Sequence, residues 1–211
     1  MINNLPSNTV ERLSLYRRAL LNYPVDKKPH IHSHQLAHLL KINPAHVRRD
    51  LMLIGFTGDI HKGYYIPDMI EEIGKAIDCT RTVKIAFIGI GDLGRTVAEY
   101  FNNENTKIKI AATFRLSEEP EHQFSDVKCY NISRIKDVIK KENIELVVIA
   151  VPPDFAETIS KTLVQAGVKG ILNFTSVHLQ VPKDVYVENY DMINKLEKLA
   201  YFTHKDNCPT E

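Results

Sequence analysis

Residues 83–101, VKIAFIGIGDLGRTVAEYF, decide the fold of the second part of the chain. The apolar run 83–88 predicts a buried parallel strand, and the glycines after it have the spacing of a nucleotide-binding turn. Gly89 permits a tight bend, Gly91 lets the backbone approach a pyrophosphate, and Gly94 lets the following helix pack closely on the strand. We therefore expect the dinucleotide phosphates at the amino end of that helix, held by Gly89, Ile90, Gly91, Asp92, Leu93 and Gly94.

Further apolar segments continue the same pattern. Strands are predicted at 107–114, 145–153, 170–174 and 184–189, and a helix capped by Asp154 is predicted at 154–166. Strands that alternate with helices predict an α/β fold, a Rossmann-like, doubly wound parallel sheet. Val151 and Pro152 end one of these strands at the rim where ligands bind, so we expect both to line the cofactor site.

The residue that meets the adenosine ribose is expected at the end of the second strand, and Arg115 occupies that place. NAD sites usually carry Asp or Glu there, whereas Arg accommodates the 2′-phosphate of NADP. The sequence thus predicts a nicotinamide dinucleotide, NAD (NADH/NAD+) or NADP. Two alternatives stay open: Glu118 and Glu119 fold back to the ribose, or Arg115 is simply solvated and the adenosine is held in another way.

Charge is distributed unevenly along the 211 residues. The net charge is +1, but residues 1–66 contain nine Lys or Arg against four Asp or Glu, and six of the nine histidines. A basic first third favours a nucleic-acid partner, with an ordinary solvated surface as the alternative. Three scattered cysteines match no metal spacing and indicate reduced thiols in a cytoplasmic protein. No apolar run is long enough for a membrane helix.

The basic third has the pattern of a helix-turn-helix. One helix is predicted at 9–22, capped by Thr9 or Asn8, and a short one begins with Ser33 as its cap. After a turn at 41–43, Asn43 caps a third helix whose first position is Pro44. The expected core residues of the three helices are Val10, Leu13, Tyr16, Leu20 and Leu21, then Leu36, Leu39 and Leu40, then Val47, Leu51 and Ile54.

The third helix is the predicted reading helix, because a helix of this size fits the major groove and arginine binds guanine or phosphate. The alternative is that Arg48 and Arg49 pair with Asp50 and other surface acids. Residues 54–67, IGFTGDIHKGYYIP, predict a β-hairpin, or wing, with a basic tip along or in the minor groove. Residues 67–82 are expected to form a linker helix and a polar stretch. The predicted DNA-binding residues are Ser33, Gln35, Asn43, His46, Arg48, Arg49 and Lys62.

Catalysis has little support in the sequence. We find no Ser/His, Cys/His or metal-ligand pattern, and His178 and Asp191 are better explained as structural or hydrogen-bonding residues than as an acid–base pair. The last helix, within 190–205, has an apolar stripe that needs a partner, either its own sheet or another subunit.

Taken together, RLSLYRRAL, VRRDL before a glycine-rich wing, IGIGDLGRTVAEY, VVIAVP, AGVKGILNF and VPKDVYVENYD resemble the Rex family of redox-sensing transcriptional repressors along almost the whole chain. The resemblance implies a homodimer with winged-helix and Rossmann-like domains and a swapped C-terminal helix. It implies binding to double-stranded operator DNA that ends when NADH binds. It also implies that residues matching Arg18, Tyr100 and Asp191 couple the nucleotide state to the domain angle.

The expected organisation is a winged-helix domain with its linker helix over 1–80, a dinucleotide-binding domain over 81–188 and a dimerisation helix and tail over 189–211. Two departures from the family pattern stand out. The family's wing usually has Arg-Gly where this chain has Ile60 and His61. After the second strand of the dinucleotide-binding domain, the family has an acid where this chain has Arg115. The rival hypotheses are a small NAD(P)-dependent oxidoreductase with a basic appendage and a regulator that has lost its ligand.

Overall fold

The computed structural model describes residues 5–89, 107–116, 122–124 and 127–204. The chain divides into two compact units, Met1–Thr80 and Arg81–Glu211. The first unit contains four helices and two short strands among its described residues. In chain order these are α1 (Ser7–Leu21), β1 (His30–Ile31), α2 (Ser33–Leu40), α3 (Pro44–Leu53), β2 (Tyr64–Tyr65) and α4 (Ile66–Ile77).

The core of the first unit is formed by one face of each helix. Leu13, Tyr16 and Leu20 on α1 are fully buried, as predicted, but Val10 and Leu21 are 39% and 61% exposed. The prediction for those two was wrong because the buried stripe follows every third or fourth residue from Thr9, whose side chain is itself buried. Asn8 and Thr9 therefore both lie inside the helix and neither is its cap; Pro6 precedes the first helical residue.

Three further predictions for this unit need correction. Ser33 is the first residue of α2 and His32 is the cap, while Leu39 is 51% exposed and Ala37 takes its place in the core. The segment predicted as a linker helix is α4, which contributes three buried side chains to the core and packs on α1. A proline at its second position starts the helix without displacing it from the domain. The buried residues of α4 are Ile66, Met69 and Ile73.

The wing differs from a simple local hairpin. Asp59 and Gly63 form a single antiparallel bridge, whereas Tyr64 and Tyr65 pair with β1, more than thirty residues earlier. The pairing of His30 with Tyr65 and of Ile31 with Tyr64 ties the wing to the residues just before α2.

The second unit is built on a seven-stranded sheet. Its described elements are β3 (Val83–Ile88), β4 (Ile108–Arg115), β5 (His122–Phe124), β6 (Val127–Asn131), a short 3-10 turn (Ile132–Arg134), α5 (Ile135–Glu142), β7 (Leu146–Ile149), α6 (Pro153–Ala166), β8 (Gly170–Asn173), β9 (Tyr186–Asn189) and α7 (Met192–Thr203).

The order of the strands is β5-β6-β4-β3-β7-β8-β9, and every pair is parallel except β5 with β6. From β6 onward this is the order 3-2-1-4-5-6 of the doubly wound dinucleotide-binding fold. The α/β class and the doubly wound sheet that the sequence predicts are therefore confirmed. Helices α5 and α6 pack on one face, over Ala86, Ile88, Val147 and Ile149.

Helix α6 begins at Pro153, so Asp154 lies in its first turn. The prediction that Asp154 caps this helix was therefore wrong. Helix α7 has the opposite character to α6, because none of its residues is buried. Within the described ranges, no helix is long and apolar enough to span a bilayer.

Candidate nucleic-acid interface and nucleotide site

The reading helix is fixed at its amino end by a tight turn. Helix α2 ends at Leu40, and Lys41 adopts a left-handed conformation with φ of 55° that reverses the chain. Asn43 then caps α3, its Oδ1 atom accepting the Ala45 N–H at 2.8 Å, and Pro44 occupies the first position, as predicted. Val47 and Leu51 are fully buried. The remaining side of α3 faces outward with Ala45, His46, Arg48, Arg49 and Met52 exposed.

The predicted DNA-binding side chains divide into two groups. Gln35 and Asn43 serve the protein itself, since the Gln35 Oε1 accepts the His32 N–H at 2.9 Å in a capping box and Asn43 caps α3. The second group is presented to the outside. Arg48 donates from Nη1 to the Ser33 Oγ at 3.2 Å, which brings the first turn of α2 and the middle of α3 together. Exposed side chains of the second group are His46, Arg48, Arg49 and Lys62.

An aspartate on the inner side of α3 connects the reading helix to α1. The Asp50 carboxylate is fully buried and accepts from Arg12 Nε and Nη2, both at 2.7 Å, from the Tyr16 hydroxyl at 2.8 Å and from the Thr9 hydroxyl at 3.1 Å. A buried carboxylate with this many donors is held in one position. The alternative that Arg48 and Arg49 pair with Asp50 at the surface is therefore wrong.

These contacts determine the ionisation states of Asp50 and Tyr16. Burial on its own raises the pKa of Asp50, but the hydrogen bonds from Arg12, Tyr16 and Thr9 outweigh it and hold that pKa below its ordinary value. Burial and the hydrogen bond to Asp50 raise the pKa of Tyr16. The carboxylate is thus charged and the phenol neutral across the physiological range, which keeps the network intact. The sequence contained one sign of this network, because Asp50 lies next to Leu51 and three residues after Val47.

The nucleotide site is expected where the strand order reverses, between β3 and β7. Gly89 directly follows β3 there with φ of +83°, and a Cβ on it would overlap the Ala150 carbonyl and come within 2.6 Å of Val151 Cγ1. Only glycine fits this bend, as the sequence predicts. The other members of the predicted phosphate loop, Ile90, Gly91, Asp92, Leu93 and Gly94, lie outside the described residues, and so does Tyr100.

Arg115 is the last residue of β4 and is half-buried, so it stands at the strand end where a ribose partner is expected. Beyond β7, Val151 is buried and Pro152 is exposed as the residue before α6. These positions bring Gly89, Arg115, Val151 and Pro152 to the carboxyl edge of three adjacent strands.

A polar cluster at the same edge was not predicted. Asn173, fully buried at the end of β8, donates from Nδ2 to Asn189 Oδ1 at 2.9 Å and to the Val177 carbonyl at 2.8 Å. Its Oδ1 accepts from the Thr175 hydroxyl at 2.8 Å. The cluster fixes the turn after β8. An asparagine inside the apolar run GILNF was the sequence sign of it.

Of the three residues that the resemblance assigns to coupling, Arg18 and Asp191 lie in the described part of the chain and Tyr100 does not. Arg18 is exposed near the end of α1. Asp191 caps α7, its Oδ1 accepting the Asn194 N–H at 3.0 Å. In the parts of the chain that the structure describes, no group of three or more His, Cys, Asp or Glu side chains could hold a metal ion.

Each of the two units matches a different protein-family model. Residues 4–51 match the family model described as a putative DNA-binding protein N-terminus, and residues 80–177 match the one described as a CoA binding domain. Both families are consistent with a DNA-binding unit that precedes a nucleotide-binding unit.

The chain also matches whole proteins from end to end. It is 34% identical over 206 residues to the redox-sensing transcriptional repressor Rex of Streptococcus pneumoniae (strain Hungary19A-6), covering 96% of this chain and 97% of that one. The chain therefore belongs to the Rex family of redox-sensing transcriptional repressors.

Solved structures of RSP, a Rex-family repressor, have the same fold. RSP in complex with β-NAD+ and operator DNA is 25% identical, with a TM-score of 0.85 and coverage of 97% of this chain and 94% of that chain. RSP in complex with β-NADH is 24% identical, with a TM-score of 0.83 and coverage of 97% and 96%. This likeness covers both units, so the winged-helix and Rossmann-like architecture predicted from the sequence is confirmed.

Proposed function

We propose that this chain is a redox-sensing transcriptional repressor that binds operator DNA as a homodimer and leaves it when NADH binds. The observation that carries the proposal is the match to a Rex repressor over 96% of the chain, since it covers both units together. Such a regulator acts in the cytoplasm, where it meets DNA and nicotinamide dinucleotides. No catalytic residue is assigned, and the oxidoreductase hypothesis requires one.

DNA binding is assigned to the outer side of α3. Its exposed Arg48 and Arg49 suit guanine and phosphate, and His46 lies one turn nearer the amino end that enters the groove first. The first 66 residues have five more basic than acidic side chains, which favours approach to a polyanion. Lys62 on the wing extends the same basic character. Gln35 and Asn43 hold the two helix starts, so they contribute to DNA binding mainly through position.

Nucleotide binding is assigned to the carboxyl edge at Gly89. The bend there brings the backbone close to β7, as a phosphate-binding turn requires. Val151 and Pro152 lie across the crevice, and Arg115 is suited to the adenosine end. We assign the cofactor as NAD(H), the ligand in the structures of RSP, and Arg115 makes the reduced and oxidised forms of NADP worth testing as well.

A homodimer accounts for the apolar surface of α7. Met192, Ile193, Leu196 and Leu199 are each 55–61% exposed and recur at the spacing of one helical stripe. A stripe of this size on a terminal helix is an association surface, because single exposed hydrophobics are ordinary but contiguous ones are not. A second copy of the chain is the partner that a palindromic operator requires.

Release of DNA follows from linkage. Two reading helices fit successive major grooves only when they lie about 34 Å apart. A dinucleotide shifts the dimer away from that spacing only if it binds the non-fitting state more tightly, since equal affinity for both states changes nothing. Arg18, Tyr100 and Asp191 are proposed to couple the two units, from the resemblance to the family.

The test is a comparison of two arginine variants in a DNA-binding assay by fluorescence anisotropy. Arg48→Ala should weaken binding to duplexes selected by the wild-type protein by about 1–3 kcal/mol, because a side chain in the groove is lost. Arg81→Ala is the matched control, since Arg81 is 68% exposed in the second unit. Wild-type affinity should fall steeply with salt.

Dinucleotide affinity, measured by calorimetry, should be unchanged in Arg48→Ala. Equal DNA affinities of the two variants would remove α3 from the reading role. A wild-type protein with no salt-dependent affinity for any duplex would contradict the repressor itself.

A further inference from the structure

The tip of the wing is a short turn over residues 59–63, whose first and last residues are hydrogen-bonded to each other. Asp59 and Gly63 exchange two backbone hydrogen bonds, at 2.8 and 2.9 Å. Within the turn the Asp59 carboxylate accepts the His61 N–H and the Lys62 N–H, both at 2.8 Å. These four bonds fix the direction in which residues 60–62 point.

The base of the turn is fixed as well. Gly63 has φ of +83°, and a Cβ there would lie 2.6 Å from the Ile31 carbonyl oxygen, so the chain passes directly against β1. Tyr64 pairs with Ile31 and its ring stacks on Phe56 at 5.9 Å. The wing is therefore a rigid projection from the start of α2.

This projection lies on the same surface as the reading helix. A Cβ on Gly63 would also lie 3.0 Å from His32 Nδ1, so the wing base lies against the residue that precedes Ser33 at the start of α2. Arg48 in turn bonds to Ser33. A ligand seated on α3 thus meets the wing beside it.

The side chain at the tip is apolar. Ile60 is 92% exposed, the highest value among the large hydrophobic side chains of the described residues. Its neighbours His61 and Lys62 are polar and exposed. A β-branched aliphatic group that is held outward by a hydrogen-bonded turn and followed by His61 and Lys62 has the chemistry of a wedge for the minor groove, where aliphatic residues insert between base steps.

We propose that Ile60 is a specificity-determining residue of the DNA contact, inserted in the minor groove beside each half-site. This inference rests on the proposed function and adds to it a position that carries no charge and no donor. Ile60 selects against G·C pairs, because the guanine N2 amino group projects into that groove and would lose its water to an aliphatic surface. Lys62 supplies the phosphate contact next to it.

The experiment uses the full-length protein and duplexes that it selects from a random pool, with fluorescence anisotropy at several salt concentrations. Ile60→Ser should weaken binding about a hundredfold, through the loss of one buried aliphatic side chain from each subunit, and leave the slope of log affinity against log salt unchanged. Ile60→Arg should steepen that slope by about two, one charge for each subunit. Leu21→Ser is the control, since Leu21 is a 61% exposed aliphatic side chain at the end of α1.

A second measurement locates the contact. Placing G·C pairs at the flanks of both half-sites should weaken wild-type binding, and I·C pairs at the same places should restore it, because inosine lacks the N2 amino group but keeps the major-groove edge of guanine. Ile60→Ser should distinguish the two duplexes much less.

Wild-type and Ile60→Ser proteins with the same affinity for every duplex would overturn the proposal for Ile60 and leave the repressor intact. Absence of wild-type DNA binding would overturn both.

Discussion

Arg12 on α1 donates two hydrogen bonds of 2.7 Å to the Asp50 carboxylate on the inner side of the reading helix, 38 residues away. The carboxylate is fully buried, whereas the Arg12 side chain is 25% exposed. The pair therefore fixes α3 relative to α1 from within the domain. Its role is to position the exposed residues of α3, since Asp50 itself cannot reach DNA.

Removing this arginine should destabilise the first unit strongly. Arg12→Met leaves a buried carboxylate without its cation and should lower the free energy of unfolding by about 3 kcal/mol. Lys75→Met is the control, because Lys75 is 59% exposed and solvent screens its pairs with Glu71 and Glu72, so its loss should change stability much less. Urea unfolding followed by circular dichroism measures both.

Lowering the pH should remove the stabilising contribution of the Arg12–Asp50 pair. The pKa of Asp50 is lowered in the folded state, so its contribution to stability is complete above the unfolded value of 3.8 and is lost as the pH falls through the folded value. The difference in unfolding free energy between wild type and Arg12→Met should thus shrink below about pH 4. A difference that is the same at pH 7 and pH 3 would show that Arg12 acts through packing and not through the charge of Asp50.

Gly89 and Gly167 show two different reasons why a position in the chain requires glycine. Both have positive φ, +83° and +94°, but a Cβ on Gly89 meets Ala150 and Val151 whereas one on Gly167 meets nothing within 4 Å. Gly167→Ala should cost about 1 kcal/mol of stability, from its backbone conformation alone, and keep dinucleotide affinity. Gly89→Ala should abolish NADH binding in calorimetry, because β3 and β7 must separate. Full NADH affinity in Gly89→Ala would place the nucleotide elsewhere.

The stripe on α7 should control assembly. Leu196→Asp puts a carboxylate in the proposed dimer interface, where an unpaired charge costs several kcal/mol, and should yield monomers in light scattering after size exclusion. Lys198→Asp changes charge on the opposite side of the helix, by helical spacing, and should leave the dimer intact. If neither variant yields monomers, the dimer interface does not include this stripe.

Arg115 should set the choice between the two nicotinamide dinucleotides. Arg115→Asp supplies an acceptor for the ribose hydroxyls and repels a 2′-phosphate, so the ratio of NADH to NADPH affinity should rise by about tenfold or more. Lys109→Asp is the matched control, an exposed residue on the same strand six positions earlier. Calorimetry with both dinucleotides measures the ratio. An unchanged ratio would mean that Arg115 does not touch the adenosine end.

The features that the sequence predicted well are those with local causes. Asn43 and Pro44 start α3 through contacts within three residues, and the apolar runs at β3, β4, β7 and β8 need only burial to become strands. Arg115 was located correctly because the length of the βαβ unit is nearly fixed.

The features that it did not predict depend on distant partners. β1 consists of two residues whose pairing with β2 is decided by the folded domain, since a strand so short has no pattern of its own. The burial of Asp50 was not predicted, because Arg12 and Tyr16, which bind it, lie 38 and 34 residues away in sequence. Helix α4 did carry an apolar stripe, but its initial proline made a linker the simpler interpretation.

The central claim is that dinucleotide occupancy governs DNA affinity, and titration of the protein–DNA complex with NADH and NAD+ tests it most directly. The dissociation constant for a selected duplex should rise on saturation with NADH by about tenfold to a hundredfold, the range of typical coupling energies, and respond far less to NAD+. A DNA affinity that neither dinucleotide changes, at concentrations where calorimetry shows both to be bound, would contradict the account.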